Sequence, residues 1–331
     1  KAGCSRGYLI GSLAFFALNP TIALMSFIPV KDTLFAVFFL LNILLFLRIY
    51  REGETQWPAA ARWILTALMC CLLRNNAFLM YVLSLPALLI LFPAQWKRTV
   101  ALTALPVMLF AGIHFGLYPA VGIGEGRRKE AMSVPIQQIS RIVAEEEEKL
   151  SEEELAEIGR YFKPEKAKKN YNPRFADPMK KLFSEKELKK SVPAFLDMWW
   201  RLVWKHPATA LDALLDLNLP YWYPDAAAVD AYSERIYIET EQANPSDAYF
   251  TFERRGWLPE VRAFYEGIAD GSFFEKVPVV STVFTLAFPC WLLGFCFCLM
   301  ANRRRIREGA FLIPIFAYWV PYLFGPVSNF R

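Results

Sequence analysis

Apolar residues run almost unbroken through residues 8–30, 33–49, 98–120 and 278–300, with a further run at 310–327. A helix that crosses about 30 Å of hydrocarbon needs roughly 20 such residues, so these stretches predict membrane spans. Residues 61–73 and 77–92 are each short for a span, and the polar triplet Arg74-Asn75-Asn76 separates them. Two tilted spans or one re-entrant hairpin both return the chain to the same side of the bilayer. Residues 121–277 break the pattern and carry most of the charge. The fold class expected is therefore all-α: a polytopic transmembrane helical bundle with a large, mainly helical extracytoplasmic loop. It divides into an N-terminal transmembrane module at 1–120, a loop domain at 121–277 and a C-terminal transmembrane module at 278–331.

Inside the loop, the pattern predicts a helix over 136–163, with Ser151 and Glu154 spaced as a capping box. Tyr171-Asn172-Pro173 and Asp177-Pro178 are breakers, followed by a short helix from Ser184. Phe195, Leu196, Trp199, Leu202 and Val203 then recur at helical spacing near 193–205, with Trp200 and Trp204 beside them. Two readings fit this stripe: an amphipathic helix lying in the membrane interface, with Arg201 and Lys205 reaching headgroups, or an internal packing face. Pro207 starts a further helix, which ends in the aromatic turn Tyr221-Trp222-Tyr223-Pro224.

Charge orients the spans. Lys1 with Arg6, Arg48 with Arg51 and Arg62, Lys97 with Arg98, and Arg303–Arg305 with Arg307 all fall on one side if the chain crosses seven times. Lys and Arg accumulate in short cytoplasmic loops, which assigns that side to the cytoplasm of a bacterial plasma membrane. Lys31-Asp32, the Arg74 triplet and the 121–277 loop then share the outer side. The composition agrees, since 55% hydrophobic residues, 16% aromatics and a mean hydropathy of +0.24 are high for a soluble domain. The net charge of +5 sits beside apolar runs, as topology requires, and nucleic acid is a poor partner. Five of the six cysteines lie inside apolar runs and read as small packing residues rather than a disulfide framework.

Soluble-enzyme motifs are missing. Gly122, Gly124 and Gly126 lack the Lys-Ser/Thr of a phosphate loop. His114 and His206 are the only histidines, which disfavours a His-based zinc site or a serine triad. Consecutive carboxylates at Glu145–Glu148 do not converge on one ion and read as a solvated face. Ionisable groups at the outer span ends remain. Lys31 and Asp32 have almost no loop to carry them into water, so they are either used or paired in an interfacial turn. Arg74 beside Asn75 and Asn76 suits a phosphate held by charge-assisted hydrogen bonds, or a helix end.

Asn19-Pro20, Pro29-Val30-Lys31-Asp32, Arg74-Asn75-Asn76, the Ser133–Ile139 segment containing Gln137 and Gln138, Tyr171-Asn172-Pro173, Lys205-His206-Pro207 and Tyr221–Pro224 together resemble an uncharacterised bacterial multi-spanning family. That family is similar to the GT-C glycosyltransferase superfamily, which includes the protein mannosyltransferases and the aminoarabinose transferases. The resemblance implies a GT-C-like fold and a polyprenyl-phosphate-linked sugar as donor, with a cell-envelope glycan or lipid as acceptor. It implies Asp32 as the catalytic carboxylate, Lys31 and Arg74 on the donor phosphate, and Asn75, Asn76, Gln137, Gln138, Tyr221, Trp222 and Tyr223 around the substrate. It assigns no definite cofactor and leaves a divalent cation open. GT-C enzymes carry a key acid in their first outer loop, whereas the first outer turn here is Lys31-Asp32; either that loop precedes Lys1, or Asp32 is a second acidic site that does not act alone. Because the chain opens on Lys1 rather than Met, a preceding helix and loop are expected in the full protein, with further helices after Arg331.

Two other functions fit the pattern less fully. A transporter or lipid flippase predicts charged groups near span centres, where His114 stands almost alone. A non-catalytic envelope assembly protein would use the Trp199–Trp204 helix to dock a partner.

Overall fold

The computed structural model describes residues 5–19, 22, 31–50, 56–124, 126–224, 258–261, 263, 285–326 and 328. Much of the expected 8–30 span, the start of the 278–300 span, Pro20, Pro29, Val30, Arg331 and most of 225–284 lie outside the described residues. All regular structure among the described residues is helical. The chain forms two compact units, one of residues 1–29, 220–291 and 329–331, the other of residues 30–219 and 292–328. These units cut across the three modules expected from sequence, because residues 30–120 and the first hundred residues of the loop pack as one.

In the first unit, α1 (Arg6–Leu18) is capped by Ser5, whose hydroxyl accepts from the Tyr8 amide at 3.2 Å. The Trp291 indole N–H donates to the Trp222 carbonyl at 2.8 Å.

The second unit opens with α2 (Lys31–Tyr50), α3 (Trp57–Leu73), α4 (Phe78–Leu91) and α5 (Trp96–Ala111). Asp32 in the first turn of α2 and Arg48 in its last both favour the helix dipole. Pro58 starts α3, and the extended backbone of Arg74 ends it. The pieces expected at 61–73 and 77–92 are thus two helices, joined by a single turn at Asn75–Ala77. α5 continues through a π-helical turn, Gly112–Leu117, to Ala120. α13 (Ala287–Asn302) reaches this unit from residue 292, and α14 (Leu312–Tyr322) completes the bundle.

α2 lies along α3, α5 packs on both α3 and α4, and α14 packs on α4. Phe46, Trp63, Met80 and Leu88 fill the centre, with Cys70 and Cys71 buried among them as free thiols. Asn42, fully buried in α2, pins three helices. Its Nδ2 donates to Thr66 Oγ1 at 3.0 Å, and its Oδ1 accepts from the Tyr81 hydroxyl at 3.2 Å. Small polar side chains hydrogen-bonded across helices are a common way of joining helices where no hydrophobic drive exists.

Two helices, Lys31–Tyr50 and Pro93–Ala120, are long and apolar enough to cross a membrane, with mean hydropathies of 2.2 and 1.9. The apolar helices Arg6–Leu18, Trp57–Leu73, Asn75–Leu91, Ala287–Asn302 and Leu312–Tyr322 are shorter.

The polar part of the second unit is a helical cluster around α6 (Ser133–Glu146). Ile136, Ile139, Ile142 and Val143 line the inner face of α6 and are fully buried. The single helix expected over 136–163 is instead α6 and α7 (Glu152–Gly159). The capping box at Ser151 and Glu154 is present and opens a new helix. α8 (Pro164–Asn170), α9 (Asp177–Leu182) and α10 (Glu185–Lys190) follow, with Ser184 capping α10 as expected. α11 (Val192–Lys205) and α12 (Pro207–Leu217) then pack on α6.

The stripe on α11 faces inward: Phe195, Met198 and Leu202 are buried, and Leu196, Trp199 and Val203 pack against the same core. Arg201 pairs with Glu157 at 2.7 Å and Lys205 with Glu154 at 2.7 Å, so both cations are held by α7. The stripe therefore belongs to the domain's own core rather than to a membrane surface. Trp200 and Trp204 stand on the opposite, exposed ridge.

Candidate functional site

Antiparallel packing sorts the ends of the bundle. The Tyr50 hydroxyl donates to Thr99 Oγ1 at 3.2 Å, which joins the C-terminus of α2 to the first turn of α5 and gathers Arg48 with Lys97 and Arg98. The opposite end holds Asp32, Arg74, Tyr318 and Tyr322.

There Arg74 Nε lies 2.6 Å from Asp32 Oδ1, with the side chains only 11% and 17% exposed. The two groups meet as an ion pair, but out of line for a hydrogen bond. The Arg74 guanidinium also stands 5.8 Å from the Tyr322 ring, within cation–π range. The Tyr322 and Tyr318 hydroxyls are 2.6 Å apart. Tyr318 is braced by the rings of Phe35 and Phe39, with centroids at 4.8 and 5.4 Å. A carboxylate, a guanidinium and two phenols thus share one end of the bundle. Tyr318 and Tyr322 lie within an apolar run that conceals them in the sequence. Their spacing of four residues, which places both on one face of a helix, is the available signal.

The polar domain is fastened immediately beside these groups. Asn218 Nδ2 donates to the Leu323 carbonyl at 3.0 Å and Ser328 Oγ to the Leu217 carbonyl at 2.9 Å. The Ala176 amide donates to the Pro326 carbonyl at 2.8 Å. The turn after α14 therefore ties the ends of α12 and the start of α9 to the Asp32–Arg74 end.

The remaining expected residues divide. Lys31 and Asn75 are exposed, and Asn76 is half-buried in the turn that opens α4. Gln137 and Gln138 are turned into the polar domain. Gln138 Oε1 accepts from the Trp199 indole N–H at 2.8 Å while its Nε2 donates to the Ala210 carbonyl at 2.9 Å, which consumes both ends of the amide. Gln137 is fully buried and donates to the Asn172 carbonyl. Amides on a polar helix are usually accessible; these two face the domain core. Tyr221 is buried, Trp222 half-buried and Tyr223 exposed, all in the other unit. Among the described residues no three His, Cys, Asp or Glu side chains are grouped to hold a metal ion.

Glu146 belongs to no solvated face. Its carboxylate meets His206 Nδ1 and accepts from Thr209 Oγ1 at 2.9 Å, closing the corner between α11 and α12. His206, and then Thr209, hold the Glu146 carboxyl down at about 2 against an ordinary 4.5. A depressed carboxylate stabilises the fold above its unfolded pKa, and that stability is lost as pH falls through the folded value. Thermal melts followed by tryptophan fluorescence should therefore show the domain weakening between about pH 4.5 and about 2, and His206→Gln should flatten that slope. Near Asp216, the Arg141 guanidinium is held charged: partial burial opposes it, but the hydrogen bond to Asp216, at 2.6 Å, and the ion pair with Glu145 prevail.

No curated protein and no solved structure matches the chain. A family model described as a family of unknown function, DUF6020, matches residues 4–331. The match runs through the bundle helices and the polar domain alike, and the chain belongs to that family.

Proposed function

We propose that this chain is part of a multi-pass membrane glycosyltransferase of GT-C-like architecture, which moves a sugar from a polyprenyl-phosphate donor to a cell-envelope acceptor on the outer face. The membrane setting is supported by the apolar surfaces of the two long helices. Only 33% of the apolar window of Lys31–Tyr50 and 22% of that of Pro93–Ala120 are buried. Leu34, Val37, Leu40 and Leu44 on one, and Leu105, Met108 and Phe115 on the other, remain outward-facing. Core helices of a soluble protein bury such faces.

The observation that carries the chemistry is the Asp32–Arg74 pair beside Tyr322 at the bundle end where the polar domain is fastened. Inverting transfer needs a carboxylate to take the acceptor proton and a cation to stabilise the departing phosphate. The pair stores both in one place. A donor phosphate competing for Arg74 releases Asp32, so the base is freed only when the leaving group is held. Lys31, exposed beside Asp32, adds a second cation for the phosphate.

The test is transfer of a labelled sugar from a polyprenyl-phosphate donor by the full-length protein in liposomes. Asp32→Asn should abolish transfer while leaving donor binding within a few-fold. Undiminished transfer by that variant overturns the assignment.

One observation favours transport as a second reading. His114 lies in the π-helical turn of the long Pro93–Ala120 helix, stacked on Phe110, with Nδ1 buried and lacking a hydrogen-bond partner. Such turns cluster at functional sites, and ionisable groups inside spans commonly mark pathways. Movement of a labelled lipid across the bilayer without sugar transfer, lost in His114→Phe, selects this reading.

A further inference from the structure

An apolar cavity of about 740 Å³ opens between α4, α13 and α14 and runs along α14 from the turn before it to Leu323. Ala87 and Ile90 line it from α4, Met300 from α13, Phe316 from α14, and Ile306 and Gly309 from the turn between the last two. No charged side chain among the described residues lines it, and the volume lies in the range of about 300–1,000 Å³ that small-molecule sites occupy.

The same turn carries Arg303, Arg304, Arg305 and Arg307, all exposed, against the single acid Glu308, which stands 3.7 Å from Arg305. Ile306 and Gly309, which line the cavity, belong to the same turn, so these arginines are sequence neighbours of its lining. The turn is built tightly. The Arg305 amide donates to the Met300 carbonyl at 2.9 Å and the Arg304 amide to that of Ala301 at 3.0 Å, the double bond of a Schellman ending. Its left-handed position, φ 53, is held by Arg304, where glycine is the unstrained choice. Gly309 approaches α13 so closely that a Cβ there would lie 2.9 Å from Met300 Cγ, which sets the shape of the mouth.

We infer that this is a binding site for an anionic phospholipid of the cytoplasmic leaflet, its acyl chain in the cavity and its phosphate on the arginine turn. A basic rim between membrane helices on the cytoplasmic side is what acidic headgroups bind, at about 1 kcal/mol per cation near the surface. A zwitterionic lipid fills the cavity equally well but leaves the rim unneutralised. The site rests on the membrane-spanning part of the reading above, not on the transferase chemistry, and its arginine turn lies at the other end of α14 from Tyr322.

The test uses detergent-solubilised full-length protein, titrated with phosphatidylglycerol, phosphatidylcholine or tail-less glycerophosphate while unfolding is followed. Phosphatidylglycerol should raise the melting temperature, phosphatidylcholine much less, and glycerophosphate not at all. Arg304→Gly with Arg307→Gln removes two cations while relaxing the strained residue, so it should fold at least as well. Its phosphatidylglycerol affinity should fall about thirtyfold, with the phosphatidylcholine response unchanged. Ala87→Phe, which fills the cavity and spares the arginines, should weaken both lipids. Equal stabilisation by the two lipids, a full response to glycerophosphate, or unchanged affinity in the arginine variant overturns the site. Sugar transfer from the outer face, measured separately, is untouched by any of those results.

Discussion

Arg74→Ala is expected to destabilise the bundle by about 3–5 kcal/mol, more than the double variant Asp32→Ala/Arg74→Ala does. With side chains 11% and 17% exposed, Arg74 and Asp32 are largely withdrawn from water, so removing the guanidinium strands a carboxylate at the end of an apolar bundle. Removing both removes the stranded charge as well. The truncation also takes the cation from the Tyr322 ring, a contact worth about 0.5–2 kcal/mol that the double variant does not restore. Unfolding of all four species in detergent gives the coupling energy as a double-mutant cycle. A coupling near zero would mean that the pair is a chance surface contact. Arg74→Lys separates structure from chemistry: it keeps the charge, and with it much of the stability, but loses the planar fork that grips a phosphate. The proposed sugar transfer should therefore fall further in Arg74→Lys than the melting temperature does.

The helices are legible in the sequence because their apolar runs are long and several ends are marked, by Ser151, Ser184 and Pro207. Side-chain destinations are less so. Period alone places Asp32 and Arg74 on the same side, but not in contact, since their separation along the chain says nothing about how α2 and α3 pair. Asn42 lies inside an apolar run and gives no sign that it joins Thr66 and Tyr81. Glu146 sits in a row of four acids, and only the corner at His206 distinguishes it from its neighbours. The stripe on α11 admits two burials equally well, because an amphipathic face is the same pattern whether it meets lipid or protein. The deciding partner, α6, is about sixty residues away. The π-helical turn around His114 has no compositional mark at all.

Gln138→Leu should cost the polar domain about 2–4 kcal/mol, through two groups rather than one. The side chain bridges α11 and α12 by way of α6, taking the Trp199 indole N–H and supplying the Ala210 carbonyl. Leucine fills a similar volume but leaves a donor and an acceptor without partners, each worth about 1–3 kcal/mol when buried. Gln137→Leu deletes one bond, to the Asn172 carbonyl, and also removes an Oε1 that is already buried without a partner. Its loss should be the smaller, near about 1 kcal/mol. Trp199→Phe placed in the Gln138→Leu background removes the orphaned N–H and should recover part of the deficit. Denaturant melts of the full-length protein and its variants give these differences directly. The same series decides what the amide is for. A Gln138 that serves packing lowers the melting temperature and leaves the KM for the proposed sugar donor alone, whereas a Gln138 that touches substrate would raise the KM in a protein that melts where the parent does.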